Sequence, residues 1–242
     1  MRSYGHAFYA VFPLMLAGLV CLIVDLGDPA RFHHMLRVFK LSSPMSVGVS
    51  TIGAFVFIAF LALVASVLNL PTAVMQIIAI AGLIPALIVA AYKGVLLSTT
   101  AQPGWRTMRW LGAAFALSGI SMGAAILLAI ASNASDLGAT RILRFILMWL
   151  LVLNALAVRR ILGRVDMAGH LSDLGSHSTA SRVGLHYTGF IVVGLGLPIV
   201  LCALSKGASA VDAAIVLIVL AGALLSRHYL VMLPHRATPD PT

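Results

Sequence analysis

Residues 47–68 read VGVSTIGAFVFIAFLALVASVL, an apolar run without a single charged side chain. In helical form such a run matches the roughly 20 residues needed to cross about 30 Å of hydrocarbon. Asn69-Leu70-Pro71 breaks it, and 73–97, AVMQIIAIAGLIPALIVAAYKGVLL, repeats the pattern with one cation, Lys93, near its end. Lipid satisfies no backbone hydrogen bond, so a crossing segment must close its own, as a helix does. Working outward, five more segments qualify, at about 6–25, 108–131, 143–162, 184–205 and 211–231. Asp28-Pro29, Gln102-Pro103-Gly104 and Ser132-Asn133-Ala134-Ser135 punctuate the breaks. Segment 143–162 has the shortest apolar core, Phe145 to Val158, with Arg141, Arg144, Arg159 and Arg160 placed to snorkel to the two interfaces. The expected fold is all-α: a polytopic transmembrane bundle of about seven spans, one integral membrane domain over 1–242.

Composition excludes the alternatives. Hydrophobic residues make up 61% of the chain and charged ones 10%, with a mean hydropathy of +1.05. A soluble domain is about one quarter charged, so charge this scarce cannot cover a water-exposed catalytic domain. The net charge of +9 comes from basic residues in short loops between apolar runs, with Asp the sole acidic residue type. That pattern suits anchoring at a membrane surface rather than nucleic acid. Cys21 and Cys202 each lie in an apolar run, and without a C-x-x-C spacing the chain holds no iron–sulfur cluster of its own. The first apolar stretch runs long and lacks an A-x-A-like exit, so no cleaved signal peptide is expected.

Alternate loops fall on opposite sides, and the basic residues divide unequally between them. Twelve of the 16 lie on the side of the 26–46, 98–107 and 163–183 loops and the C-terminus; Arg2, Arg141, Arg144 and Lys206 lie on the other. The positive-inside rule then places the C-terminus in the cytoplasm and the N-terminus outside. Within spans, Gly119-x-x-x-Gly123 and the glycines at 184, 189, 194 and 196 mark expected close helix contacts, and Pro13, Pro85 and Pro198 expected kinks.

The first loop carries the most information. Asp28 is placed to cap a helix with Pro29 at its first position. Phe32, Met35, Leu36 and Phe39 then share one face, with Arg31, His34, Arg37 and Lys40 on others, as in a short amphipathic helix at headgroup level. Leu41-Ser42-Ser43-Pro44-Met45-Ser46 leads into the next span. The run from Asp25 to Ser46 resembles the signature of the polysulfide reductase membrane-subunit family, also called NrfD-like, which reads close to "DLG-x-P-x-RF…ML-R-x-F…SPMS". Ala91-Tyr92-Lys93-Gly94-Val95-Leu96-Leu97 resembles the family's "YTG-x-LL", with Lys93 in place of Thr. Arg227-His228-Tyr229 resembles its terminal "RY", with His228 inserted. The first motif is long and specific; the other two are weak alone. Relatives usually have eight or more spans, and this chain starts at what corresponds to their second. The first helix is thus expected to be absent or cut off, along with quinone contacts that relatives make from it.

The resemblance implies a subunit that is not catalytic alone, sits in a bacterial inner membrane, and carries no haem or metal. It implies binding of a quinone, menaquinone or ubiquinone, and electron exchange with a ferredoxin-like iron–sulfur subunit. A catalytic subunit, often a molybdopterin enzyme, would lie beyond that. The histidines at 6, 33, 34, 170, 177, 186, 228 and 235 agree on haem, since all lie in loops or near span ends and a membrane b-type haem needs ligands facing one another inside spans.

Quinone chemistry requires an apolar slot with polar groups that bond the carbonyls and relay protons. Candidates on the cytoplasmic side are Asp25, Arg31 and Tyr92; Asp25 also fits a structural pair with Arg31, and Tyr92 an interfacial aromatic belt. On the other side stand His6, Tyr9, Gln76, Asn133, Asp136, Arg141 and Arg144. Asp136, Arg141 and Arg144 are candidates for docking a partner, and the two arginines equally for snorkelling. Ser118, Ser121 and Asn154 suit interhelical hydrogen bonds. The resemblance implies a partner that commonly docks outside, whereas Asp25, Arg31 and Tyr92 fall on the cytoplasmic side. Either the quinone lies nearer His6 and Gln76, or the cytoplasmic polar residues form a proton route, or the partner docks inside, and the sequence leaves all three open. A purely structural anchor is the alternative function. A secondary transporter is a third, which the lack of repeats and of paired broken helices disfavours.

Overall fold

The computed structural model describes residues 2–25, 43–99, 110–162, 190–205 and 209–232. The amphipathic segment expected at 29–40, with Arg31, lies outside them. The described elements are helices, with no strand among them. They form two compact units, Met1–Leu96 and Leu97–Thr242.

The first unit holds α1 (Arg2–Asp25), α2 (Pro44–Val67) and nearly all of α3 (Thr72–Thr99). The Ser-Pro-Met-Ser motif proves to be a helix start. Ser43 is extended, its hydroxyl accepts from the Ser46 N–H at 3.5 Å, and Pro44 occupies the first turn, where its missing N–H is no loss. The other end of α2 is closed by Asn69 in the left-handed region (φ 52°). The Leu70 N–H bonds the Ala65 carbonyl at 2.9 Å and the Asn69 N–H bonds Ser66 at 3.2 Å. This is the Schellman arrangement, which satisfies carbonyls that lipid would leave bare. α2 buries Val49, Ile52, Ala59, Ala62 and Ala65 on one helical stripe. Phe60 meets Phe12 of α1 with ring centroids 5.6 Å apart. α3 runs antiparallel to α2, its Gly82 seated against Ile58 and Phe55.

The second unit holds α4 (Leu111–Asn133), α5 (Leu137–Leu162), a π-helical segment (Phe190–Gly196) continuing into α6 (Leu197–Leu204), and α7 (Ser209–Met232). Ser135 (φ 56°) repeats the Schellman closure, with Asp136 N–H on Ala131 at 3.1 Å and Ser135 N–H on Ser132 at 3.1 Å. Asp136 then caps α5, its carboxylate accepting from the Ala139 N–H at 3.0 Å. α5 therefore starts at Leu137, earlier than residue 143, where the apolar core alone would place it. Leu128, Leu147, Leu151 and Ile215 form the fully buried centre. Lipid tails are as apolar as leucine, so close packing rather than removal from water holds this centre.

The span expected at 184–205, with a kink at Pro198, is described from Phe190 as a π-helical stretch followed by α6. Pro198 has no N–H, and its ring opposes the carbonyl four residues back, on Gly194; a wide π turn ahead of it relieves both. Gly194 also lies close against α7: a Cβ on Gly222 would lie 2.7 Å from the Gly194 Cα. At Gly123 of the Gly119-x-x-x-Gly123 stripe the expected helix contact is not made. Gly123 is exposed, with nothing within 4 Å of a Cβ there. α4 instead buries Ala114, Ser118, Ser121, Ala125 and Leu128.

Five helices are long and apolar enough to cross a membrane, and Val11–Cys21 and Val192–Leu204 are shorter apolar stretches within the described residues. Leu14, Ile80, Trp149 and Leu224 are among many large apolar side chains left exposed, a surface suited to lipid and not to water. The chain is an all-α, multi-pass membrane protein.

Two glycine substitutions test the packing. Gly222→Val should lower stability by roughly 1–3 kcal/mol, because backbone cannot yield as a side chain does. Gly123→Val should be close to neutral. Thermal unfolding of the purified protein in detergent reads both.

Candidate functional site

Tyr92 is the sequence candidate whose surroundings are most fully defined. It lies in α3 beside Gly94, buried like it, and next to exposed Lys93, as expected for a cation snorkelling to an interface. Its ring lies directly on Gly48 of α2, where even one added methyl would overlap ring carbons. The side chain is 5% exposed, and its hydroxyl is buried with no hydrogen-bond partner among the described residues. The contact falls just over one turn into α2, close to the Ser43 cap.

The remaining quinone candidates do not gather around it. Gln76 is exposed at the opposite end of α3, and 16 residues of helix put it about 24 Å away. His6 and Asp25 lie near opposite ends of α1, about 28 Å apart by the same rise. Antiparallel succession sets Asp25, the start of α2 and Tyr92 at one end of the unit, and His6 and Gln76 at the other. A single carrier headgroup reaches one set only.

The second polar focus joins elements that the sequence leaves far apart. Arg144 of α5 holds Asp212 in the first turn of α7 through two parallel bonds, Nε to Oδ1 at 2.9 Å and Nη2 to Oδ2 at 2.8 Å. Its Nη1 also donates to the Ser205 carbonyl at the end of α6, at 3.3 Å. The Asp212 side chain is wholly buried and that of Arg144 12% exposed. Fork-to-carboxylate geometry of this kind offsets the desolvation of both charges. Beside it opens a cavity of about 340 Å³ lined by Arg141, Arg144, Phe145, Met148, Cys202, Ala203 and Ser205. Of the three residues considered for partner docking, Arg144 is thus engaged within the chain and Asp136 caps α5. Arg141, exposed like Asp136, is the one of the three with no side-chain hydrogen bond or ion pair among the described residues.

Asp212 and Ser205 escape the sequence reading. Asp212 lies just inside the last apolar run, where it passes for a loop residue, yet an ionisable group at a span's edge is itself a signal. At the opposite end of this unit the Arg227 guanidinium lies 5.5 Å from the Phe115 ring centroid, a cation–π contact. Midway, Ser118, Ser121 and Asn154 line a cavity of about 10 Å³ with Gly194 and Leu195 of the π segment, room for about one water molecule. Among the described residues, no group of His, Cys and Asp side chains is placed to hold a metal.

A family model described as polysulfide reductase matches residues 2–237, almost the whole chain. No curated protein and no solved structure matches it.

The ion pair makes a sharp prediction. Asp212→Ala should cost roughly 3–5 kcal/mol by leaving the Arg144 charge buried and alone, whereas the apolar double variant Arg144→Met/Asp212→Leu should recover most of that. Chemical or thermal unfolding in detergent measures the difference.

Proposed function

We propose that this chain, which belongs to the polysulfide reductase family, binds a membrane quinone at Tyr92, so that electrons pass directly between the quinone and the cluster of an iron–sulfur partner. The family makes it the membrane subunit of a redox complex; the quinone, its place and the partner are the added reading. The observation that carries it is the Tyr92 hydroxyl, buried between two membrane helices with no hydrogen-bond partner among the described residues. A buried hydroxyl left unpaired costs about 1–3 kcal/mol, and phenylalanine would fill the same space without that cost. Retention of the hydroxyl favours a task for it.

A quinone carbonyl suits that donor, and a bound quinone would supply two-electron, two-proton chemistry. Tyr92 would hydrogen-bond the carbonyl and fix the ring's position. Gly48 leaves room for the Tyr92 ring against α2, so the hydroxyl is aimed by packing. Asp25 closes α1 at the same end of the unit, and its carboxylate would exchange protons with water. A bacterial inner membrane, with the N-terminus outside, completes the reading, supported by the uneven division of basic residues.

The Tyr92→Phe complex, with its partner subunits and iron–sulfur content intact, should turn over quinol roughly 10-fold or more slowly, in line with losing a hydrogen bond and a proton-transfer group. Gly48→Ala, which displaces the ring, should lower turnover similarly. Steady-state quinol oxidation by membranes carrying each variant measures both. Unchanged turnover in Tyr92→Phe would sink the quinone role and leave a structural anchor.

A further inference from the structure

The cavity of about 340 Å³ beside the Arg144–Asp212 pair is not used by the proposed electron transfer. We propose that it is a binding site for an anionic phospholipid, with the lipid phosphate held by Arg141 and Ser205 and an acyl chain lying along Phe145 and Met148. This inference requires only that the chain lies in a membrane and does not rest on the quinone reading.

Position comes first. Ser205 closes α6, Asp212 is in the first turn of α7, and Arg144 is two turns into α5, so the cavity opens at an end of the bundle, at headgroup depth. Its chemistry is two-sided. Arg141 is exposed and without an ion-pair partner among the described residues, and the Ser205 hydroxyl oxygen is buried without a hydrogen-bond partner among them. Phe145, Met148 and Cys202 supply apolar wall. Arg144, its charge met by Asp212, still has guanidinium hydrogens beyond those given to the carboxylate and the Ser205 carbonyl.

Charge complementarity selects the occupant. Arg141 belongs to the face with four basic residues against twelve on the other, so the general bias that retains arginines at a cytoplasmic surface does not explain it. A phosphate diester compensates its charge; a neutral quinone carbonyl does not. The volume falls in the range of small-molecule pockets, about 300–1,000 Å³, and accommodates a phosphoglycerol head. Basic pockets between membrane helices bind anionic headgroups by the same chemistry.

The test uses the full chain, purified in detergent, stripped of lipid, and titrated by native mass spectrometry with phosphatidylglycerol or phosphatidylcholine. Phosphatidylglycerol should saturate one site at roughly 10-fold lower concentration than phosphatidylcholine. Arg141→Gln should remove that preference. Ala203→Phe, which fills the cavity with Arg141 intact, should abolish the bound lipid while the unfolding temperature stays within a few degrees. Equal binding of the two lipids, or unchanged preference in both variants, would overturn the site. So would one-for-one displacement by a short-chain quinone, displacement by millimolar inorganic phosphate, or loss of an acidic partner subunit from Arg141→Gln with lipid retention unaltered.

Discussion

Hydrocarbon neither donates nor accepts a hydrogen bond, and that one constraint shapes this molecule from its helix ends to its charges. In water an exposed carbonyl at a helix end is solvated at little cost. Here α2 and α4 both close with a Schellman turn, and the left-handed residue is Asn69 in one and Ser135 in the other. Neither is glycine, so some backbone strain is accepted to satisfy the carbonyls. The same demand explains Ser43 before Pro44 and Asp136 before α5: each side chain takes up an N–H that begins a helix.

Inside the bundle the constraint sorts polar side chains by how their cost is met. Thr51, Ser121 and Thr140 return their hydroxyls to a carbonyl four residues back, at 2.7 Å in each instance, a bond available in any helix. Arg144 and Asp212 meet each other, and the pair knots α5, α6 and α7 together through the Ser205 carbonyl. Since leucine-like cores gain little over lipid, such a pair contributes specificity of assembly that apolar packing alone supplies weakly.

Hydropathy made the spans legible because a membrane helix must be long and apolar whatever its tertiary setting, and the structure contains the helices expected within a few residues at most ends. The exceptions are local. α5 begins at Leu137 because Asp136 caps it, a matter of hydrogen bonding that an apolar count ignores. The π segment before Pro198 arises from a clash that sequence flags only as a kink. Spacing misled at Gly123, since a small-residue stripe states that a close approach is possible, not which face a partner takes; Gly194, expected to mark a contact, does make one, with Gly222, which the sequence did not single out. The Arg144–Asp212 contact spans 68 residues, and no local pattern encodes it. Tyr92 was legible through its motif, but its seat on Gly48 was not, because that depends on the register of α2 against α3.

Comparing Tyr92 with Arg144 shows where function is to be sought in such a protein. Both are polar groups in positions where polarity is expensive. Arg144 has its expense answered by Asp212, so nothing external is required to explain it. The Tyr92 hydroxyl has no answer among the described residues, and Phe would give the same packing more cheaply. A balanced intramembrane charge reads as architecture, and an unbalanced hydroxyl as an invitation to a ligand. That asymmetry, and not the mere presence of a polar residue in a span, is what separates Tyr92 from Arg144.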